Sequence, residues 1–153
     1  RYAFLGALIG SAARPLGGIV SDKVGGARVT LVSGVLLLAA SVAITRFTAP
    51  SSAADFTPFL AVMLVVFLAS GIGNGSTFRM IPTIFPPQEA APVLGWTAAV
   101  AAYGSFIVPM LLSGAITAFG SPDIAFHGFA VFYALNIALC YWYYGRKGAE
   151  VPC

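Results

Sequence analysis

Charged side chains are scarce in this sequence. Of its 153 residues only 8% are charged, eight basic and five acidic, whereas 59% are hydrophobic and the mean hydropathy is +0.91. Soluble domains carry about a quarter charged residues, so a chain of this composition could not cover its surface in water. The composition therefore indicates an integral membrane protein, and the net charge of +3 is too small to indicate a nucleic-acid partner.

Cysteine and clusters of catalytic side chains are also nearly absent. Cys140 lies inside an apolar run and Cys153 is the last residue, and these positions do not suggest a disulfide framework or a metal site. No nucleophile and general base stand in a pattern typical of an enzyme. We therefore expect no catalytic activity, no metal and no cofactor.

The apolar runs are long and unbroken, without the ten-residue alternation of a transmembrane β-barrel. A helix needs about 20 mostly apolar residues to cross a bilayer, and its backbone hydrogen bonds are then satisfied internally. The sequence therefore predicts an all-α membrane protein with five transmembrane helices. We predict them at about residues 2–20, 29–47, 58–85, 93–119 and 126–145.

The chain begins at Arg1 without an initiator Met, and no signal-peptide pattern follows. An odd number of crossings is also unusual for a self-contained half of a transporter. We therefore expect the chain to be the trailing portion of a longer polypeptide, with one or more helices upstream.

The basic residues of the loops predict the orientation. Because loops alternate sides, Lys23 and Arg28 share a side with Arg146 and Lys147, while Arg46 lies on the other. Short loops rich in Lys and Arg favour the cytoplasm. We therefore expect a multi-pass protein of the inner membrane whose C-terminus is cytoplasmic, with the aromatic run 141–144 at the lipid interface.

Among the charged residues, Arg14 lies deepest within a predicted crossing. It is about twelve residues, and hence roughly 18 Å, from the outer start of its helix. A charge at that depth costs about 2.5 to 3.5 kcal/mol on insertion scales. It should therefore face a partner or a watery cavity, unless it snorkels to the inner interface. Gly6, Gly10 and Gly18 share its helical face and leave space for a packed helix. A planar oxyanion beside that face could accept two parallel hydrogen bonds from the guanidinium.

The turn after the first crossing carries the spacing Gly-x-x-x-Asp-Lys-x-Gly, which resembles the cytoplasmic loop motif of the major facilitator superfamily. Its residues are Gly18, Asp22, Lys23 and Gly25, followed by Arg28. The glycines allow a sharp turn, and Asp22 can cap or pair across a helix N-terminus. A contact made only when the cytoplasmic side is closed would bias a two-state equilibrium, so we expect these residues to gate that side.

The third crossing contains a glycine-rich segment, 71–77, that lacks the spacing and lysine of a nucleotide-binding loop. Gly71 and Gly75 instead predict a face for close helix packing. Asn74 could bind substrate or form an interhelical hydrogen bond, and the residues alone do not separate the two. Arg79 can reach the inner interface, which favours a structural role.

The fourth crossing opens with an Ala- and Gly-rich stretch, 95–107. Low bulk suits either a helix that rocks against a neighbour or ordinary tight packing, and composition leaves both open. Pro109 predicts a kink within this helix rather than its end, because neighbouring groups can satisfy the freed carbonyl.

Taken together, these segments resemble the nitrate/nitrite porter family of the major facilitator superfamily. Residues 2–30 are similar to its eighth helix and following loop, residues 73–78 and 80–82 to its tenth, and residues 95–107 lie where its eleventh carries a signature stretch. The likeness covers essentially the whole chain as helices eight to twelve. Ala98, Ala101 and Ala102 depart from the more glycine-rich signature of much of the family.

The resemblance implies most of a C-terminal six-helix bundle in a transporter. By it, Arg14 matches a substrate-binding arginine that acts with a counterpart in the N-terminal half. Asn74, Tyr103 and Gly104 are the further expected substrate contacts. The implied partners are nitrate and nitrite, the lipid bilayer and the upstream half of the same polypeptide.

The membrane segments offer no obvious proton carrier, since the acids fall in loops or at helix ends: Asp22, Asp55, Glu89, Asp123 and Glu150. His127 lies at the outer start of the last helix, which favours an interfacial role. We therefore expect nitrate/nitrite exchange by alternating access. Two alternatives remain open, namely proton-coupled nitrate uptake and a membrane interaction or sensing module without transport.

Overall fold

The computed structural model describes residues 2–151 and 153, in which the chain forms helices and connecting turns without a β-strand. The helices are α1 (Ala3–Val24), α2 (Gly26–Ile44), α3 (Phe56–Ile84), α4 (Pro87–Ala102), α5 (Gly104–Phe119) and α6 (Asp123–Cys140). A short 3-10 helix, Ala53–Asp55, precedes α3, and a π-helical turn, Tyr141–Gly145, follows α6. Five segments are long and apolar enough to cross a membrane, with α4 and α5 together forming the fourth. This confirms an all-α membrane protein with five crossings.

The turn between the first two crossings is shorter than predicted. Helix α1 continues to Val24, and α2 begins at Gly26, three residues before the predicted start. Gly25 alone separates them, with φ at +95°, a conformation that glycine adopts without steric cost. The polar residues of the predicted loop therefore extend α1 by one turn.

The prolines between the third and fourth crossings begin a helix as well as ending one. Helix α3 ends at Ile84, close to the prediction, but α4 starts at Pro87 rather than near residue 93. Proline suits the first position of a helix, where no backbone N–H is needed.

The fourth crossing is interrupted at Tyr103, not at Pro109. The Tyr103 N–H donates to the Val100 carbonyl at 3.1 Å, a three-residue step that tightens the helix locally. Helix α5 then continues through Pro109. Gly104 has low helix propensity, and Pro109 cannot donate to the carbonyl four residues earlier, so both weaken the same stretch.

A hydrogen bond ties two loops at the end of the bundle opposite Gly25. The Thr48 hydroxyl donates to the Asp123 carboxylate at 2.6 Å, which joins the segment after α2 to the first residue of α6. Helix α6 starts three residues earlier than predicted, and the Asp123 N–H donates to the Ser121 hydroxyl at 3.2 Å. These contacts place Asp123 at the same end of the bundle as the segment after α2.

Helix packing is uneven across the bundle. Helix α3 packs along both α1 and α2, and α2 packs along α6. The fourth crossing touches only parts of α3 and α6, its neighbours along the chain. The main packed unit is therefore α1, α2, α3 and α6, and it contains the predicted anion clamp and gate.

Candidate functional site

A glycine seam between α1 and α3 holds the backbone around Arg14. Gly75 of α3 lies against the Arg14 carbonyl, and Gly71 lies against Gly10 and Ala13. A Cβ on either α3 glycine would collide with these atoms, so the two backbones approach as closely as glycine permits. The close-packed face predicted for Gly71 and Gly75 is thus present.

The Arg14 side chain itself is exposed in this bundle, near the middle of α1. Within residues 2–151 and 153, it has no carboxylate partner and no side-chain hydrogen bond. An uncompensated cation at mid-membrane depth is costly unless a water-filled cavity or an anion solvates it. Among the described residues, the structure thus leaves Arg14 without a group that neutralises its charge.

The acids of the described chain are engaged elsewhere or exposed. Asp55 accepts hydrogen bonds from the Ser51 and Ser52 N–H groups at 2.8 and 3.0 Å, and Asp123 accepts from Thr48. Glu89 and Glu150 are exposed at the ends of the bundle. These four acids, and Asp22 near the end of α1, therefore lie in connecting segments or near helix ends.

Asn74 lines a mainly apolar cavity to which Arg14 does not contribute. The cavity, of about 290 Å³, lies between α2, α3 and α6, with Tyr133 and Asn136 on its α6 side. Ser70 and Thr77 add polar groups one turn in each direction along α3. Asn74 is thus one of a few polar side chains in a space between helices, and this position fits a substrate contact as well as an interhelical hydrogen bond.

Tyr103 and Gly104 lie apart from both residues, at the interruption of the fourth crossing. The Tyr103 side chain is 66% exposed, and nothing lies within 4 Å of a Cβ built on Gly104. The four predicted substrate contacts are thus not gathered into one cavity in this chain. The fourth crossing packs too little against α1 to bring them together.

One of the predicted gating residues, Asp22, forms an ion pair that the sequence did not predict. Asp22, near the end of α1, pairs with Arg79 of α3, and their side chains are 45% and 57% exposed. Asp22 was predicted to cap or pair across a helix N-terminus, but α2 has no side-chain cap. That expectation is wrong for α2, because α1 extends through Asp22 and turns its carboxylate toward α3.

The other gating residues occupy the same end of the bundle. A Cβ placed on Gly18 would lie 3.9 Å from the Gly75 carbonyl oxygen, an ordinary van der Waals contact. Gly25 makes the turn into α2. Lys23 and Arg28 are exposed on either side of that turn. The signal for the missed ion pair was present in the sequence, since Asp22 and Arg79 were both assigned to the inner ends of their helices.

The two cysteines are brought together, which their sequence positions did not suggest. Cys140 is buried in a cluster with Ala27 and Met80, and Cys153 packs against that cluster. Both thiols are free, and no group of three or more metal-ligating side chains occurs in the described part of the chain. Cys153 also accepts a hydrogen bond at its carbonyl from the Ala27 N–H at 3.2 Å, so the tail docks on the start of α2.

Comparison with known proteins places these features in a family. Residues 3–152 match the Major Facilitator Superfamily. A probable nitrate/nitrite antiporter of Thermus thermophilus, NarK2, is 49% identical over 153 residues, which is 100% of this chain and 34% of that protein. The nitrate/nitrite transporter NarU of Escherichia coli is 33% identical over 96% of this chain and 36% of its own length.

A third relative, the probable nitrate transporter NarT of Staphylococcus carnosus, is 27% identical over 90% of this chain and 34% of its own length. The chain therefore spans about a third of the length of the curated relatives it matches.

Proposed function

The chain belongs to the major facilitator superfamily and to its nitrate/nitrite porter family, and from this membership we propose that it forms most of the C-terminal bundle of a nitrate and nitrite transporter. The transporter lies in the inner membrane with its C-terminus in the cytoplasm. It works by alternating access, and the upstream half of the same polypeptide completes its pathway.

The observation that carries this proposal is the state of Arg14. The residue lies in the middle of a crossing helix, its backbone is fixed against Gly75, and no carboxylate neutralises it among the described residues. A planar oxyanion such as nitrate or nitrite can accept two parallel hydrogen bonds from a guanidinium and neutralise its charge. Arg14 thus acts as the anion clamp of this half.

The absence of a buried acid in the described residues supports exchange over proton coupling. Proton-coupled carriers commonly hold Asp, Glu or His within the membrane. If Arg14 must be neutralised before the carrier reorients, an empty site disfavours reorientation because it leaves the charge of Arg14 unpaired within the membrane. Each passage of nitrate in one direction is then coupled to the passage of a nitrite ion in the other.

The Asp22–Arg79 ion pair supports a gate at the cytoplasmic end. It links α1, which carries the clamp, to α3 at the inner end of the glycine seam. A contact that forms in only one of two conformations shifts the equilibrium toward that conformation. The clamp and the gate therefore lie on the same helix, about two turns apart.

Arg14→Lys tests the clamp in the full-length protein. Lysine keeps the charge but cannot reproduce two parallel hydrogen bonds, so nitrate binding should weaken by about 10- to 100-fold, as expected for the loss of a charge-assisted bond. Isothermal titration of the purified transporter with nitrate measures this. Arg46→Lys, at the opposite end of the bundle, is the matched control and should bind as wild type. Unchanged affinity in Arg14→Lys would contradict the clamp.

A vesicle assay tests the exchange mode. Proteoliposomes loaded with nitrite should take up nitrate, whereas empty vesicles should not. Uptake into vesicles without internal nitrite, driven by an imposed pH gradient, would instead establish proton coupling and leave the clamp intact.

A further inference from the structure

A basic cavity of about 450 Å³ opens at the inner end of the bundle, where α1, α2 and the tail after α6 meet. Arg28, Arg146 and Lys147 line it, and no acidic residue does. Its volume falls in the range of about 300 to 1,000 Å³ that is typical of small-molecule sites. The cavity is therefore large enough and positive enough for an anionic group.

Backbone and side-chain contacts shape this basic cavity. The Arg146 guanidinium lies 4.4 Å from the centre of the Trp142 ring, and its Nε donates to the Trp142 carbonyl at 2.8 Å. Gly25 and Gly148, both with positive φ, form parts of its wall without side chains. The structure thus fixes the Arg146 guanidinium next to a part of the wall that carries no side chains. A guanidinium is well suited to bind phosphate oxygens.

Exposed aromatic residues place the cavity at the level of the lipid headgroups. Tyr141, Trp142 and Tyr143 directly precede its basic residues and are 55%, 57% and 43% exposed. Aromatic side chains with a polar end concentrate where a helix leaves the hydrocarbon. A cavity one turn beyond them lies at the depth of the lipid phosphates.

An apolar groove between α1 and α2, with Ile72 of α3 at its wall, borders this cavity at Arg28. It has a volume of about 290 Å³ and is lined mainly by Leu16, Val20, Val32 and Leu36. Arg28 lines both the groove and the basic cavity. The result is one surface with a positive end at headgroup depth and an apolar track that continues toward the centre of the membrane.

We propose that this surface is a binding site for an anionic phospholipid. The phosphodiester lies between Arg28, Arg146 and Lys147, and one acyl chain follows the groove between α1 and α2. A free phosphate would use only the basic end, so the apolar groove beside the cavity at Arg28 favours a lipid. Basic pockets between transmembrane helices on the cytoplasmic side suit anionic headgroups. The site is independent of which anion the transporter carries.

The charge of the site is tested on the delipidated full-length protein by native mass spectrometry with palmitoyl-oleoyl-phosphatidylglycerol. Arg146→Gln combined with Lys147→Gln should weaken binding by about fivefold for each cation removed, hence about 25-fold together. Arg46→Gln, which removes a cation at the opposite end of the bundle, should bind as wild type. The proposal is wrong if the double variant binds phosphatidylglycerol as tightly as the wild type does. It is also wrong if the wild type binds palmitoyl-oleoyl-phosphatidylcholine as tightly as it binds phosphatidylglycerol.

The groove is tested with Val32→Trp, which fills it at a side chain that is already 62% exposed. This variant should weaken phosphatidylglycerol binding several-fold but leave binding of the deacylated headgroup, glycerophosphoglycerol, unchanged. Inorganic phosphate should compete only weakly with the lipid. If phosphate binds as tightly as the lipid and Val32→Trp has no effect, the cavity is a free-phosphate site and the lipid proposal is wrong.

Discussion

The α1–α3 seam and the fourth crossing both contain glycine, yet they use it differently. In the seam, a Cβ on Gly17 or Gly75 would collide with the backbone of the facing helix. In the fourth crossing, a Cβ on Gly95 or Gly114 would find no atom of a neighbouring helix within 4 Å. The same residue type thus permits close approach in one region and faces open space in the other, because the fourth crossing packs much less against the other described helices than α1 packs against α3.

Hydroxyl groups show the same contrast. Ser76, fully buried in the packed unit, donates to the Gly26 carbonyl at 2.8 Å and lies 2.9 Å from the Thr30 hydroxyl. Thr117 in α5 donates to the Ser113 carbonyl of its own helix at 2.9 Å. The Ser76 hydroxyl therefore connects α3 to α2, whereas the Thr117 hydroxyl bonds within its own helix.

The largest expected effect on stability comes from a glycine-to-alanine substitution in each region, which adds one methyl group. Gly75→Ala should destabilise the full-length protein by about 1 to 3 kcal/mol, because the methyl has no space against Arg14. Gly114→Ala should be neutral or stabilise by up to about 1 kcal/mol, because alanine is the better helix former. Thermal unfolding in detergent measures both. A destabilising Gly114→Ala would mean that a helix outside this chain packs on the fourth crossing.

A smaller effect should follow from removing one hydroxyl in each region. Ser76→Ala leaves the Gly26 carbonyl without this donor and should cost about 1 kcal/mol. Thr117→Val should change stability by less than about 0.5 kcal/mol. Denaturant unfolding of the two variants gives the difference, and equal values would contradict an interhelical role for Ser76.

The smallest expected change in stability concerns the ion pair at the inner end of the seam. Asp22 and Arg79 are both about half exposed, so water and salt screen their attraction. Asp22→Asn should lower the midpoint of thermal unfolding less than Gly75→Ala and Ser76→Ala do, and only at low ionic strength. Its main effect should be on transport, through the gate. A large, salt-independent loss of stability would show that the pair is structural.

Several features of the site follow from local patterns. Arg14 stands out because a single charge in a long apolar run is costly wherever the helix packs. Gly71 and Gly75 predict a packed face because their spacing fixes them on one side of a helix. These inferences need only helix geometry and the cost of burying charge.

Other features depend on which helices meet, and local patterns missed them. Asp22 and Arg79 are distant in sequence and become partners only because α1 and α3 pack side by side. Cys140 and Cys153 share a cluster only because the tail folds back onto α2. The interruption at Tyr103 reflects two effects on the same stretch of helix, the low helix propensity of Gly104 and the missing N–H donor of Pro109. Neither residue by itself predicts it.

The sequence by itself determined that the chain is an all-α membrane protein with five crossings and one deeply placed arginine, because transfer free energy and helix length depend on composition and order alone. The tertiary structure decided which glycines lie against a neighbour, that Arg79 pairs with Asp22, and that Arg28 joins a basic cavity to an apolar groove. Those outcomes depend on helix pairing, since the energy of a contact exists only when packing brings both partners together.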